Sequence, residues 1–331
     1  MTAHGRRRFK LGLWAVTAAL VGWLQPGVSW GQETVTLRLD WVNSGYHAIW
    51  YYAIDKGIFK REGVDLEVLE GRGSVTTAQT VANGSVMFGT ADGGASISLI
   101  SQGLPLKIVA GYLRQSPVAI IFPKKNNWKS FADMKGARIG FSPGGTSPLF
   151  NAMLKSTGLD GNVQVVNVEG NAKPVALLEG RVDCIESFDF LQVPLFEANG
   201  LAVSTFPYAQ AGINVPGLSL VTANSMIEKN PALVRKMVGL MVKTIDAARQ
   251  DPEGAIDSLM KRAPALKRDV VTQVLKLSFN LLDPDWSKGQ PPGWMSPAVI
   301  EKSQDILLQY GGIKQKRPVE VYFTNQFVSG S

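Results

Sequence analysis

Four carboxylates, one tryptophan and one histidine hold most of the chemical content of this 331-residue chain. Asp40 and Trp41 follow an alternating run at 35–39, which places both at the C-terminal end of a predicted strand. An indole there can stack on a flat ring, and a carboxylate can accept hydrogen bonds from amino or ring N–H groups. A core tryptophan and a turn-capping aspartate are the plain alternatives. Asp92, Glu186 and Asp189 each follow a short predicted strand and can face the same cleft, although any one of them can equally be a solvated turn residue. Together with Asp40 they would form an acidic pocket, with Tyr112 and Phe188 as aromatic walls. Such a pocket disfavours nitrate, sulfonate or phosphate and favours a neutral or cationic N–H donor.

His47 has no second histidine to work with, because the only other one is His4, near the N-terminus. A metal centre would need partners that this spacing does not supply. His47 therefore reads as a hydrogen-bonding cleft residue or a contact beside a helix start. Gly71-Arg72-Gly73-Ser74 and Gly144-Gly145-Thr146 each precede a predicted helix. Exposed N–H groups at such a start hold anions or carbonyl oxygens, and Ser74 or Thr146 can also be a plain N-cap. Neither turn is a nucleotide-phosphate loop, since no Gly-Lys-Ser/Thr follows. Metalloprotease, nucleophile-elbow and Ser-x-x-Lys arrangements are missing in suitable context. The residues point to binding without catalysis, cofactor or metal. Cys184 is the single cysteine, which excludes an intrachain disulfide, and its apolar neighbours mark it as a buried thiol.

The elements that must position these residues alternate between strand and helix. Strands are predicted at 35–39, 64–69, 88–91 and 106–112, with helices at 48–56, 76–83 and 95–102 between them. A second round has strands at 118–122, 137–141, 163–168 and 184–187, with a helical turn at 131–134 and helices at 147–156 and 173–179. A strand at 218–223 returns to the first group, and helices follow at 231–250, 252–262, 268–280 and 297–310. Proline at 231 and 252 suits a first helical turn. This βαβα order implies mostly parallel sheets with helices on their faces.

Composition agrees with a globular α/β protein: 45% of residues are hydrophobic and 18% charged, enough for two cores. Arg6, Arg7, Arg8 and Lys10 precede a short apolar run at 11–24, and small residues follow at Ser29 and Gly31. That is the pattern of an export signal cleaved near residue 31. The formal net charge of +7 includes those four basic residues, so the remainder is near +3. Without a concentrated basic face, a nucleic-acid partner is excluded.

Several ordered segments resemble a known family. They are Leu39-Asp40-Trp41, Tyr46-His47-Ala48, Ala53-x-x-Lys56-Gly57-x-Phe59-x-x-Glu62-Gly63-Val64-Asp65, VANGSVMFGTADGGA at 81–95, FADMKGARIGF at 131–141, the 144–146 turn and ALLEGRVDCIESFD at 176–189. The chain resembles the periplasmic binding proteins of the thiamine-pyrimidine, nitrate, sulfonate and taurine group, and most of all the branch for pyrimidine precursors of thiamine. The resemblance implies a type II-like, two-lobed fold with a hinge and an inter-lobe cleft. It implies a signal peptide at 1–31, one lobe from 32–122 plus 216–331, and the other from 123–215. It also implies a periplasmic monomer that passes a small molecule to an ABC permease and its ATPase. The cysteine-rich motif of the pyrimidine-synthesising enzymes in that branch is absent here. The same resemblance favours the cleft role for Asp40 and Trp41.

Overall fold

A computed structural model describes residues 1–2, 33–143 and 147–328. Most of the expected export signal and the Gly144-Gly145-Thr146 turn lie outside the described residues. The described residues from Glu33 onward make up one compact unit. In chain order the strands are β1 (Glu33–Arg38), β2 (Val64–Leu69), β3 (Phe88–Asp92), β4 (Leu106–Gly111), β5 (Val118–Pro123), β6 (Arg138–Phe141), β7 (Gln164–Asn167), β8 (Cys184–Phe188), β9 (Val203–Pro207) and β10 (Leu218–Ala223). The helices are α1 (Ala48–Asp55), α2 (Ser74–Ala82), α3 (Gly93–Ser101), α4 (Ser147–Ser156), α5 (Lys173–Leu178), α6 (Asp189–Glu197), α7 (Asn224–Lys229), α8 (Pro231–Gln250), α9 (Pro252–Arg262), α10 (Arg268–Phe279) and α11 (Pro297–Gln309).

The strands form two five-stranded sheets, ordered β2-β1-β3-β10-β4 and β7-β6-β8-β5-β9. Numbered within its own half, each sheet has the same order: second, first, third, a strand from the other half, fourth. That borrowed strand is the antiparallel one in each case. β10 runs against β3 and β4, and β5 runs against β8 and β9, while β1, β2 and β3 are mutually parallel, as are β6, β7 and β8. A strand entering from the opposite half starts at the cleft, where the home strands end, so it must run the other way. The expected mostly parallel sheets therefore each carry one antiparallel strand. Two segments join the halves, 112–117 and 208–217. They lie side by side through an antiparallel bridge between Gln115 and Pro216.

Burial explains the strand sequences. β3, β5 and β10 are buried along their whole length and read as continuous apolar or small residues, as strands covered on both faces do. β2, at a sheet edge, alternates buried and exposed in its first half. The late helices start on capped prolines: the Asn230 side chain accepts from Leu233 N–H (3.1 Å) and Asp251 from Gly254 N–H (2.9 Å). α6 and β9 have no counterpart in the sequence expectations. Pro194 inside α6 interrupts its helical pattern, and β9 is a five-residue outer strand. Such an architecture, two similar mixed sheets with flanking helices and a double crossover, is the two-lobed periplasmic-binding-protein fold. No helix among the described residues is long and apolar enough to cross a membrane.

Candidate ligand-binding site

The C-terminal ends of β1 and β8 face each other and line a small cavity, the usual ligand position in open α/β sheets. Asp40, Trp41, Gly73 and Ser74 come from the first half, and Lys173, Glu186, Ser187, Phe188 and Leu191 from the second. The loop after β2 is fastened to the end of β1 by main-chain bonds. Gly71 N–H donates to Trp41 O (3.0 Å), and Gly73 N–H donates to Asp40 O (2.8 Å). Gly73 has φ 127°, which a residue with a β-carbon rarely adopts, and this conformation starts α2 at the cavity wall.

Asp40 is 2% exposed and tied into the protein by both carboxylate oxygens. The Thr90 hydroxyl donates to its Oδ1 (2.8 Å) while accepting from the Asp40 N–H (2.9 Å). The Tyr46 hydroxyl donates to Oδ2 (2.7 Å), and His47 Nε2 lies 3.3 Å from Oδ1. Burial raises the Tyr46 hydroxyl well above the usual tyrosine range, and the Asp40 charge acts in the same direction. Tyr46 thus stays a donor. A carboxylate offers about four acceptor positions, so three bonds leave room for one more from the cavity.

Trp41 is half-buried, not a core residue, and presents its ring to the second half, where Gly170 lies against it. Lys173 Nζ sits 5.7 Å from the Trp41 ring centroid. Lys173 also donates to Glu186 O (2.5 Å) and to Glu186 Oε2 (3.1 Å), and both side chains are 3% exposed. The expected acidic pocket is therefore mixed: two carboxylates and an ammonium share it. Lys173, Ser187 and Leu191 had not been singled out in the sequence. One signal for Lys173 was available, since a lysine at the first position of a helix opposes the helix dipole and needs another reason to be there.

The remaining expected residues are distributed as follows. Ser74 lines the cavity but is the first residue of α2 and caps nothing; Gly73 holds the N-cap position, which rules out the N-cap alternative. His47 is fully buried behind Asp40 and does not line the cavity. Asp92 is fully buried rather than a solvated turn residue, and caps α3 by accepting from Ala95 N–H (2.8 Å). Its Oδ2 has no hydrogen-bond partner among the described residues. Burial pushes its pKa up to about 7, and the nearby charges of Glu186 and Asp40 act in the same direction. Asp189 begins α6 and accepts from its neighbour's N–H (Phe190, 2.6 Å); burial raises its carboxyl, and it does not line the cavity. Phe188 forms part of the wall, whereas Tyr112 lies behind the site, donating to Tyr46 O (2.6 Å). Cys184 is buried, and burial raises its thiol well above the usual range. No group of three or more His, Cys, Asp or Glu residues suited to a metal ion occurs among the described residues.

Comparison with known proteins places this geometry in context. The riboflavin-binding protein RibY of Chloroflexus aurantiacus is 24% identical over 316 residues, 90% of this chain and 87% of that one. The formylaminopyrimidine-binding protein of Halalkalibacterium halodurans is 23% identical over 255 residues, 76% of this chain and 77% of that one. The chain spans only 57% of a Haemophilus influenzae protein named for thiamine biosynthesis, with 29% identity over 180 residues. Other relatives, from Saccharomyces cerevisiae and Candida albicans, are named 4-amino-5-hydroxymethyl-2-methylpyrimidine phosphate synthase. Among solved structures, the alkanesulfonate-binding protein SsuA of Xanthomonas axonopodis shares the fold with a TM-score of 0.67 at 16% identity, covering 88% of this chain and 98% of that one. The family model described as NMT1/THI5 like matches residues 44–255, and this chain belongs to that family.

Proposed function

We propose that this protein is the substrate-binding component of an ABC importer, capturing a small heteroaromatic solute of the thiamine-pyrimidine type in the periplasm and handing it to a permease and ATPase. On this reading residues 1–31 are a cleaved signal, and the two lobes, one built on each sheet with β5 in the second, close on the ligand as a monomer. The observation that carries it is the pairing, across one cavity, of Asp40 and Trp41 from the first sheet with Lys173 and Glu186 from the second. A stacking ring with acceptors and a donor at its rim suits a flat ligand carrying amino groups and ring nitrogens. The two-lobed fold moves by hinge closure, the standard motion of periplasmic binding proteins. The relatives named for formylaminopyrimidine and riboflavin bind flat nitrogen heterocycles, which supports the same ligand class.

A thermal-shift screen of the chain from Gln32 tests this against aminopyrimidines, flavins, sulfonates, nitrate and aromatic acids. A ligand at about 100 times its dissociation constant adds about 2.7 kcal/mol of stability. A shift with aminopyrimidines or flavins supports the reading; shifts confined to sulfonates or nitrate would keep a binding role and reject the ligand class. The synthase-named relatives set the enzymatic alternative, and product formation from a pyrimidine precursor by the purified protein would favour it.

A further inference from the structure

Lys173 and Glu186 form a buried ion pair in the wall of the cavity. Burying two charges costs several kcal/mol of desolvation per ion, so such a pair is weak evidence for a stabilising role. Its position says more. Lys173 opens α5 directly after the Gly170–Ala172 turn, and that turn carries the seat of Trp41. One four-residue stretch therefore both receives the stacking ring and supplies an ammonium beside it. An ammonium has three N–H donors. Two of those of Lys173 are used on Glu186, and the third has no acceptor among the described residues.

We propose that Lys173 is a specificity-determining residue of the cavity, reading an acceptor atom on the rim of an uncharged heteroaromatic ring stacked on Trp41. This rests on the heteroaromatic-binding reading above and names what that site selects. The acceptor is an unprotonated ring nitrogen or a ring carbonyl. Glu186 already neutralises the ammonium, and Asp40 adds a further negative charge, so a simple anion gains little at this position. A ring lacking an acceptor leaves a buried donor unsatisfied, and sites built around such a donor discriminate strongly against the analogue without the acceptor.

The experiment is calorimetric titration with 4-amino-5-hydroxymethyl-2-methylpyrimidine and with its isostere in which both ring nitrogens are C–H. Wild type is expected to favour the pyrimidine by ten-fold or more. Lys173→Met should reduce that preference to less than three-fold while still binding the carbocyclic ring. Because Lys173→Met removes the counter-charge beside Glu186, the double variant Lys173→Met/Glu186→Gln, with both charges removed, is measured alongside. If either folded variant keeps the wild-type preference, or loses affinity for both rings equally, Lys173 does not read the ring and the proposal fails. If wild type binds neither ring while the thermal-shift screen shows no aminopyrimidine or flavin ligand, the heteroaromatic reading itself fails; if the screen shows a flavin alone, the proposal for a pyrimidine ring fails and the heteroaromatic reading stands.

Discussion

The ring of Trp41 rests on Gly170 across the cleft, so closely that a β-carbon at Gly170 would stand 2.1 Å from Trp41 Cη2 and 2.7 Å from Cζ2. Trp41 lies in the bend just after β1, and Gly170 in the turn between β7 and α5, so the contact joins opposite halves. Gly170→Ala should push the ring away and hold the cleft open. The expected result is at least a ten-fold loss of ligand affinity with little change in the denaturation midpoint of the ligand-free protein. Small-angle scattering should show a larger radius of gyration with ligand present. Unchanged affinity would mean that closure does not depend on this seat.

Trp41 itself should matter through its face. Trp41→Ala is expected to weaken binding ten-fold or more, about 1.4 kcal/mol, and Trp41→Phe by less because a stacking ring remains. Titration calorimetry on both variants checks the order, and equal losses would argue against stacking.

Asp40 is as much a structural residue as a binding one, because Thr90, Tyr46 and His47 all converge on it. Hydrogen bonds to a buried charge contribute about 1.5–3 kcal/mol each. Asp40→Ala should therefore lower stability in urea by about 3 kcal/mol or more, and Asp40→Asn by less. A folded Asp40→Ala protein of wild-type stability would show that the network carries no load.

Asp92 predicts a pH dependence. Its carboxyl titrates near 3.9 in an unfolded chain and at about 7 in the folded one. Between these values the native state holds a proton that the unfolded state has lost. Asp92 thus makes stability fall as pH rises from about 4 to 7, after which its contribution is level. Asp92→Asn keeps the cap on α3, since asparagine accepts equally well there, and removes the titration. The variant should be more stable than wild type at pH 8 and show a flatter profile between pH 5 and 7 in urea denaturation. A parallel pair of profiles would assign the slope to other groups.

The strand ends that carry Asp40, Trp41 and Asp92 were legible because each closes an apolar run stopped by a turn, and Glu186 was legible as a charged residue in the short strand 184–187. The β10 segment was readable as a strand for the same reason, but its direction was not. Direction depends on which half the chain has just left, and no local pattern records that. Lys173 was missed because a lysine beside a proline at a helix start reads as solvated, and only the three-dimensional approach of Trp41 and Glu186 makes it a buried partner. Of the two readings open for His47, its place at the start of α1 matches the contact beside a helix start, while Asp189 begins α6 and accepts from its neighbour's N–H instead of lining the cavity.

The exchange of strands also sets an order of assembly. β4 joins the first sheet only through β10, so a growing chain that has not yet reached residue 223 has no way to complete that sheet. The second sheet needs only β5 through β9 and can close first, even though its sequence comes later than β1 to β4. The half that is synthesised first is thus the one that finishes last, and its exposed β3 and β4 edges persist until the returning segment arrives.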